Sequence, residues 1–490
     1  MIKENLELKR ASVESDLCDV LVPREHSTDP FACPCCANVF QETLRTAGID
    51  VADHVEGLSR RADPLQGSCL IVNAHILTMD KSQPKAQALW VQDGKIAWVG
   101  AMDALPPEAL DEETVDCQGK FVMPGFIDPH MHLAPLAMMH QFENLSPFRF
   151  ESTDLALSHL RNIARDVPPG QWIVGRQFDP SLQRGPEYLT RELLDSVSND
   201  HPIFIYNASL HLAYCNSLAL AIGGVNAQTP DPKGAEVGRD GAGEPNGVLK
   251  GGPAMALVAR HNPLTRQQNI AEACLSVFAH ANTLGITMLC DQGTGLFQGV
   301  RELDLYRGLR DSQRMTVRLR YSVAHAIAQQ WDDMDLSWGE GDQWLRLTGW
   351  KIVSDGSNQG RTGLQRTPFL DSESVGIAYV EVDELNTAVE KRLREGWAVC
   401  IHANGDAAID RVLDAFELAV SQGLDPATAR CRIEHCSILH DEQIERMAKM
   451  GLSPSFLIGH VHYWGDALIR NVFGAEKTAL LDRTGACEVA

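Results

Sequence analysis

"VMPGFIDPHMHL", Val122 to Leu133, is the stretch on which the reading of this chain turns. An apolar run stiffened by Pro124 and Pro129 ends in Asp128, His130 and His132. Successive side chains of a strand point to opposite faces, so these three residues share one face at the C-terminal end of a strand. Two imidazoles stacked on one strand can bind one divalent metal. Taken alone, the pair reads equally well as two hydrogen-bonded loop histidines.

The C-terminal half of the chain sharpens the choice. "GITMLCD", "TVRLRYSV", "WKIVSD", "WAVCIHAN", "RCRIEHCS" and "GLSPSFLI" are strand-like runs that alternate with helical patterns. Val300, Leu303, Tyr306 and Leu309 mark one helix face; further helices run from an N-cap at Asp383 to a stop at Gly396, from Ala407 to Val420, and from Asp441 to Met450. Strands alternating with amphipathic helices predict a parallel sheet. With "FVMPGFID" as the first strand, the series supplies an α/β fold: a TIM-type (β/α)8 barrel lacking its eighth strand. His402, His435 and Lys351 close or occupy three other strands at the same end. Barrel active sites form on that face.

The barrel is expected over 122–490, preceded by a small, incomplete β-sandwich unit over 67–121. In that unit Asp93-Gly94, between two β-rich runs, is a tight-hairpin signal. A long insertion after barrel strand one, about 134–263, carries strands "WIVGRQFD" and "PIFIYNAS" and a glycine-rich loop from Gly234 to Gly252. That loop lacks the lysine of a phosphate-binding loop and is expected to form a mobile cover on the substrate side. Asn144 and Asn207 begin glycosylation sequons, which carry little weight in a cytoplasmic chain. Residues 1–66 are a polar extension with one helix expected near Asn38 to Thr46. Cys33, Cys35 and Cys36 cluster there, half a zinc site without a second pair, which fits a structural or incidental role or, alternatively, metal or redox chemistry.

Bulk properties exclude whole classes of partner. Lys and Arg total 43 against 65 Asp and Glu, a net charge of -22 that repels phosphate backbones and anionic membranes. Neither nucleic acid nor a membrane is an expected partner. There is no apolar run of membrane-spanning length, and the 13 cysteines are scattered along 490 residues like reduced thiols. The chain reads as soluble and cytoplasmic.

Six phrases together carry a resemblance: "PGFIDPHMHL", "SLHLAYCNSLAL", "GITMLCDQGTG", "WKIVSDGSNQGRTG", "IHANGDAAID" and "IEHCSI". In this order and number they resemble the amidohydrolase superfamily, and within it amidohydrolase family 3, the group that includes N-substituted formamide deformylases. The resemblance implies two divalent metal ions, zinc being the expected ion. His130 and His132 would bind the more buried one and His402 and His435 the more exposed one. Lys351 would bridge both as a carbamate formed with carbon dioxide; Asp355, on the same strand face, is the alternative bridge. His211 and Arg361 match pocket positions that could hold substrate, and read equally well as a loop histidine and a solvated arginine. Asp179 in "FDP" reads as loop chemistry rather than catalysis.

The implied reaction is hydrolysis of a non-peptide carbon-nitrogen bond in a small amide- or formamide-type substrate, with metal-activated hydroxide attacking the carbonyl. The family's catalytic aspartate lies on strand eight, which this chain lacks, so the catalytic acid-base residue is unassigned; His460, His462 and Asp466 are the substitutes in reach. An open barrel also leaves the edges of strands one and seven unpaired, which invites association into a homo-oligomer. The alternatives are a mononuclear deaminase on the same barrel and a truncated, inactive member.

Overall fold

The computed structural model describes residues 67–139, 142–263, 270–296 and 299–490. The cysteine cluster and the helix expected near Asn38 to Thr46 lie outside the described residues.

Seven strands form one all-parallel sheet in chain order: β1 (Phe126–Met131), β2 (Ile286–Thr294), β3 (Arg318–Ala324), β4 (Leu345–Val353), β5 (Val399–Ala403), β6 (Arg432–His435) and β7 (Ser453–Phe456). Each strand pairs with its successor, so the sheet ends on β1 and β7, and among the described residues no eighth strand joins them. Between strands run helices that include α1 (Ile270–Thr283), α2 (Arg301–Asp311), α3 (Val382–Arg394), α4 (Asp406–Ser421) and α5 (Asp441–Met450). Leu303, Tyr306 and Leu309 are the buried stripe of α2, as their spacing requires. In β5 the alternation is plain: Val399, Ile401 and Ala403 join the apolar cluster with Val412, Leu413 and Phe416 of α4, while Cys400 and His402 fall on the other face. Burying each large apolar side chain of that layer stabilises the barrel by about 1.5–3 kcal/mol.

Two boundaries differ from the sequence reading. The first barrel strand begins at Phe126, because Phe121–Val122 pairs instead with His75–Leu77 in a small three-stranded sheet. The cap of α3 is Glu381, not Asp383; Asp383 sits inside the first turn, where its charge favours the positive end of the helix. The hairpin expected at Asp93-Gly94 joins Ala88–Gln92 to Lys95–Gly100, and both turn residues have positive φ (50° and 72°).

The glycine-rich stretch is not a loose cover. It forms two antiparallel strands, Glu236–Arg239 and Pro245–Lys250, at the end of a six-stranded sheet with Ile173–Phe178 and Ile203–Asn207 near its middle. Some of its glycines serve close packing. At Gly247, with φ of 93°, a Cβ would lie 2.5 Å from the Cys215 carbonyl oxygen.

Near the C-terminal end, Leu481 bridges to Ile438, just past β6, and Asp482 adopts a left-handed φ of 44°. Both Asp482 carboxylate oxygens lack a partner among the described residues, and burial pushes this acid up to about 8. An acid with a raised folded pKa contributes its stability below about pH 4 and loses it as pH rises toward 8. Asp482→Asn, which tolerates the left-handed backbone, is therefore expected to gain roughly 1–3 kcal/mol at pH 9 and little at pH 4. Urea unfolding at the two pH values checks this; an equal change at both would refute it.

Candidate active site

β1, β5 and β6 deliver their histidines to one place, although β1 lies at the far end of the sheet from β6. The His130 ring centre is 5.4 Å from that of His132 and 4.8 Å from that of His435; His402 and His435 are 4.4 Å apart. The insertion adds a fifth ring, His211, 4.9 Å from His402 and 5.9 Å from Tyr379. These five imidazoles form a continuous row across the barrel mouth.

His435 reaches that row by a break in the strand pattern. In register, Glu434 faces His402 and His435 faces the buried Ala403. Simple alternation would put His435 with Ala403, away from the mouth. Instead His435 and Cys436 have φ of 74° and 48°, a left-handed pair in non-glycine residues. Such strain collects at functional sites. It brings Glu434 and His435, neighbours in sequence, to the same centre.

Lys351 on β4 is 1% exposed, and its Nζ has no hydrogen-bond partner among the described residues. Burial pushes its pKa down to about 8. The histidines are held below the ordinary imidazole range, first by burial, with the Lys351 charge adding to it at His130, His211, His402 and His435. His211 falls to about 4. At neutral pH these four rings are therefore uncharged, with lone pairs available.

The tautomers are set by neighbours. The Gly356 carbonyl accepts from His402 Nε2 at 3.0 Å and from Asn404 Nδ2 at 2.8 Å. With its proton on Nε2, which also lies 3.0 Å from Asn404 Nδ2 and 3.4 Å from Asp355 Oδ1, His402 carries its ring lone pair on Nδ1. His130 Nδ1 stands 2.8 Å from Glu434 Oε2, and His132 Nδ1 stands 3.9 Å from Asp291 Oδ1. Neither carboxylate was singled out from sequence, yet Arg432-x-Glu434 on the inward face of a barrel strand is a legible mark of a buried ion pair. Burial opposes the Glu434 charge, but the hydrogen bond from His130 and the nearby Lys351 and Arg432 charges hold its carboxyl well below the usual range.

The remaining candidates are placed differently. Asp355 stays beside the row, its Oδ1 3.4 Å from His402 Nε2, but its oxygens are taken up by the backbone N–H of Leu364 (2.8 Å), Gly405 (2.9 Å) and Asn404 (3.0 Å). It ties the loop after β4 to the loop after β5. Arg361 pairs with Glu187 at 3.2 Å and donates to the Asn471 carbonyl. It lines a cavity of about 850 Å³ between Pro180–Tyr188 and Val461–Val472. None of the five row histidines lines that cavity, although Asn207 and Leu212, flanking His211, do. Asp179 is buried and accepts from Ser181 and from Trp464 Nε1 (2.7 Å), a structural anchor. His460 is buried beside Trp464 and adds to the lowering at His435, whereas His462 and Asp466 stand on the cavity wall. Among the described residues no group of three His, Cys, Asp or Glu forms a ready-made coordination cluster.

A parallel barrel sheet with its titratable groups gathered at the C-terminal mouth defines the barrel-enzyme class. The chain belongs to the amidohydrolase family, whose model matches residues 113–488. It is 30% identical to the N-substituted formamide deformylase of Arthrobacter pascens over 81% of this chain and 74% of that protein. It is 28% identical to protein LONG AFTER FAR-RED 3 of Arabidopsis thaliana over 83% of this chain and 70% of the other. Among solved structures, a metal-dependent hydrolase from Pyrococcus horikoshii shares the fold, with a TM-score of 0.64 at 24% identity, covering 86% of this chain and 81% of its own.

Proposed function

We propose that this chain is a metal-dependent hydrolase of carbon-nitrogen bonds in small, non-peptide amide- or formamide-type compounds, built around His130, His132, His402, His435 and Lys351. The observation that carries the reading is the row of imidazoles beside a buried amine that has no hydrogen-bond partner among the described residues. Two imidazoles sharing one tetrahedral ion through bonds of about 2.0–2.1 Å have ring centres roughly 5 Å apart. The spacings of 4.4–5.4 Å between successive rings from His132 to His402 match that requirement.

The amine fits in a different way. A lysine whose pKa lies near 8 is partly neutral at physiological pH. It can add to carbon dioxide, forming a carbamate and releasing a proton, which turns a repelled cation into an oxygen-donor anion. Divalent ions, when bound, supply an acidified water and a polarised carbonyl oxygen. The protein's own groups then orient and enclose. The neutral ring of His211, carried in by the insertion, stands beside His402 as a hydrogen-bonding group for substrate. The 207–212 segment flanks both the row and the cavity, so the cavity is the natural room for the substrate's substituent, with Arg361 on its wall.

A cytoplasmic location is part of the same proposal. The nine described cysteines are free, which suits a reducing compartment, and no described helix is long and apolar enough to cross a membrane.

His402→Ala and His435→Ala are each expected to lower bound zinc and to reduce kcat/KM for N-substituted formamides at least ~100-fold, since ligand loss exceeds the 10- to 100-fold effect of losing a ligand's outer partner. Elemental analysis of purified protein decides it. Unchanged metal content in both variants would overturn the assignment. One ion per chain, insensitive to replacing Lys351, would instead support the mononuclear deaminase.

A further inference from the structure

Across the barrel, the inward face of β6 carries a charge pair that the reaction itself does not use. Glu434 is fully buried, and its two oxygens are divided between two tasks. Oε1 accepts from Arg432 at Nε (2.8 Å) and Nη2 (2.6 Å), and Oε2 meets His130 Nδ1 at 2.8 Å. Arg432 Nη2 also reaches the Pro129 carbonyl at 3.3 Å, the residue just before His130. The pair therefore grips β1 twice, at a ring and at the adjoining backbone. β1 and β6 are not neighbours in the sheet, so no backbone ladder does this job.

We propose that Glu434, clamped by Arg432, is a positioning residue that fixes the His130 ring and its tautomer, so that Nε2 is the atom offered to the metal. The inference rests on the reading of His130 as a ligand. An ionised carboxylate only accepts hydrogen bonds, so Nδ1 must carry the proton and the lone pair must lie on Nε2. A charge-assisted bond at 2.8 Å also holds the ring plane more tightly than a neutral partner could. The second histidine of the motif faces a different carboxylate, Asp291. Its Nδ1 lies 3.9 Å from Asp291, an ion-pair separation rather than a hydrogen bond. Glu434 is thus the tighter of the two carboxylates behind the His-x-His pair.

The test is zinc affinity of the full chain, by competition with a chromophoric chelator, together with the visible spectrum of the cobalt-loaded protein. Glu434→Gln keeps a carbonyl that can accept from Nδ1, whereas Glu434→Ala removes the acceptor. The expected order of affinity is wild type, Gln, Ala, with a loss of about 10- to 100-fold for one ion in the alanine variant. The cobalt ligand-field bands are expected to shift in the same order. Because Glu434→Ala strands a half-buried guanidinium and can fail to fold, the double variant Glu434→Gln/Arg432→Met removes both charges together. Circular dichroism and the melting temperature of the metal-free chains check folding. Affinity within twofold of wild type and an unshifted cobalt spectrum in every folded Glu434 variant, while His130→Ala loses an ion, would overturn the proposal and leave the ligand reading standing. If His130→Ala itself keeps full metal content and affinity, the ligand reading fails and takes the inference with it.

Discussion

Replacing Lys351 by methionine is expected to move stability and activity in opposite directions. The wild-type amine is buried with no hydrogen-bond partner among the described residues. A buried polar group left unpaired costs about 1–3 kcal/mol, and methionine fills similar space without it. The metal-free variant should therefore be more stable than metal-free wild type by about that amount. Metal must be removed for the comparison, because ions bound only to the native state stabilise it by mass action. The wild type carries a second signature: its lysine gives up a proton near pH 8 when folded and near 10.5 when unfolded. Across that window the unfolded chain binds more protons, so wild-type stability rises with pH, and the methionine variant should lack this rise. Activity should fall at least ~100-fold on the proposed reading, in which Lys351 supplies a carbamate bridge. Urea unfolding of stripped proteins at pH 7 and 10, beside kcat/KM of the loaded ones, reads both effects. A variant that keeps its activity would remove Lys351 from the mechanism.

Asp355→Ala is expected to be among the most damaging single changes in the barrel, at about 3–5 kcal/mol. Three backbone N–H groups, from Leu364, Asn404 and Gly405, end on this one carboxylate. Alanine leaves all three buried and unpaired, and each orphaned donor carries the full desolvation penalty. Asparagine should cost less but not nothing, because its NH2 must face at least one of those donors. Metal content should fall as well. Asn404 is held at both its backbone and its side chain within two residues of His402, so freeing that loop frees the ring. Chemical denaturation and elemental analysis of both variants test this; an alanine variant with wild-type stability would show that the loop is held by other means.

Much of this architecture was legible because barrel strands announce themselves. β-branched and apolar runs at regular intervals gave the strand order, and α5 begins and ends where its period and its glycine stop require. The errors share a cause. Phe121–Val122 and the Gly234–Gly252 stretch take their pairing from partners distant in sequence, and no local pattern encodes a distant partner. At the mouth, the candidate histidines and Lys351 were found because they sit at strand ends. For Asp355, strand alternation gave a face but not its partners, the backbone N–H groups of Leu364, Asn404 and Gly405. Glu434 was overlooked for a related reason: its neighbour His435 was already taken, and two adjacent residues on a strand are not expected to meet on one side.

That shared side has a mechanical consequence. A strand that reverses its pleat at its last residue cannot continue in the sheet, and the chain after Cys436 is passed elsewhere: Ser437 accepts from Asp482 N at 2.9 Å, and Leu439 N donates to Leu480 at 3.0 Å. The turn that follows His435 is therefore braced by a segment some forty positions downstream, which makes residues 480–482 a rear mount for the chain that carries the imidazole.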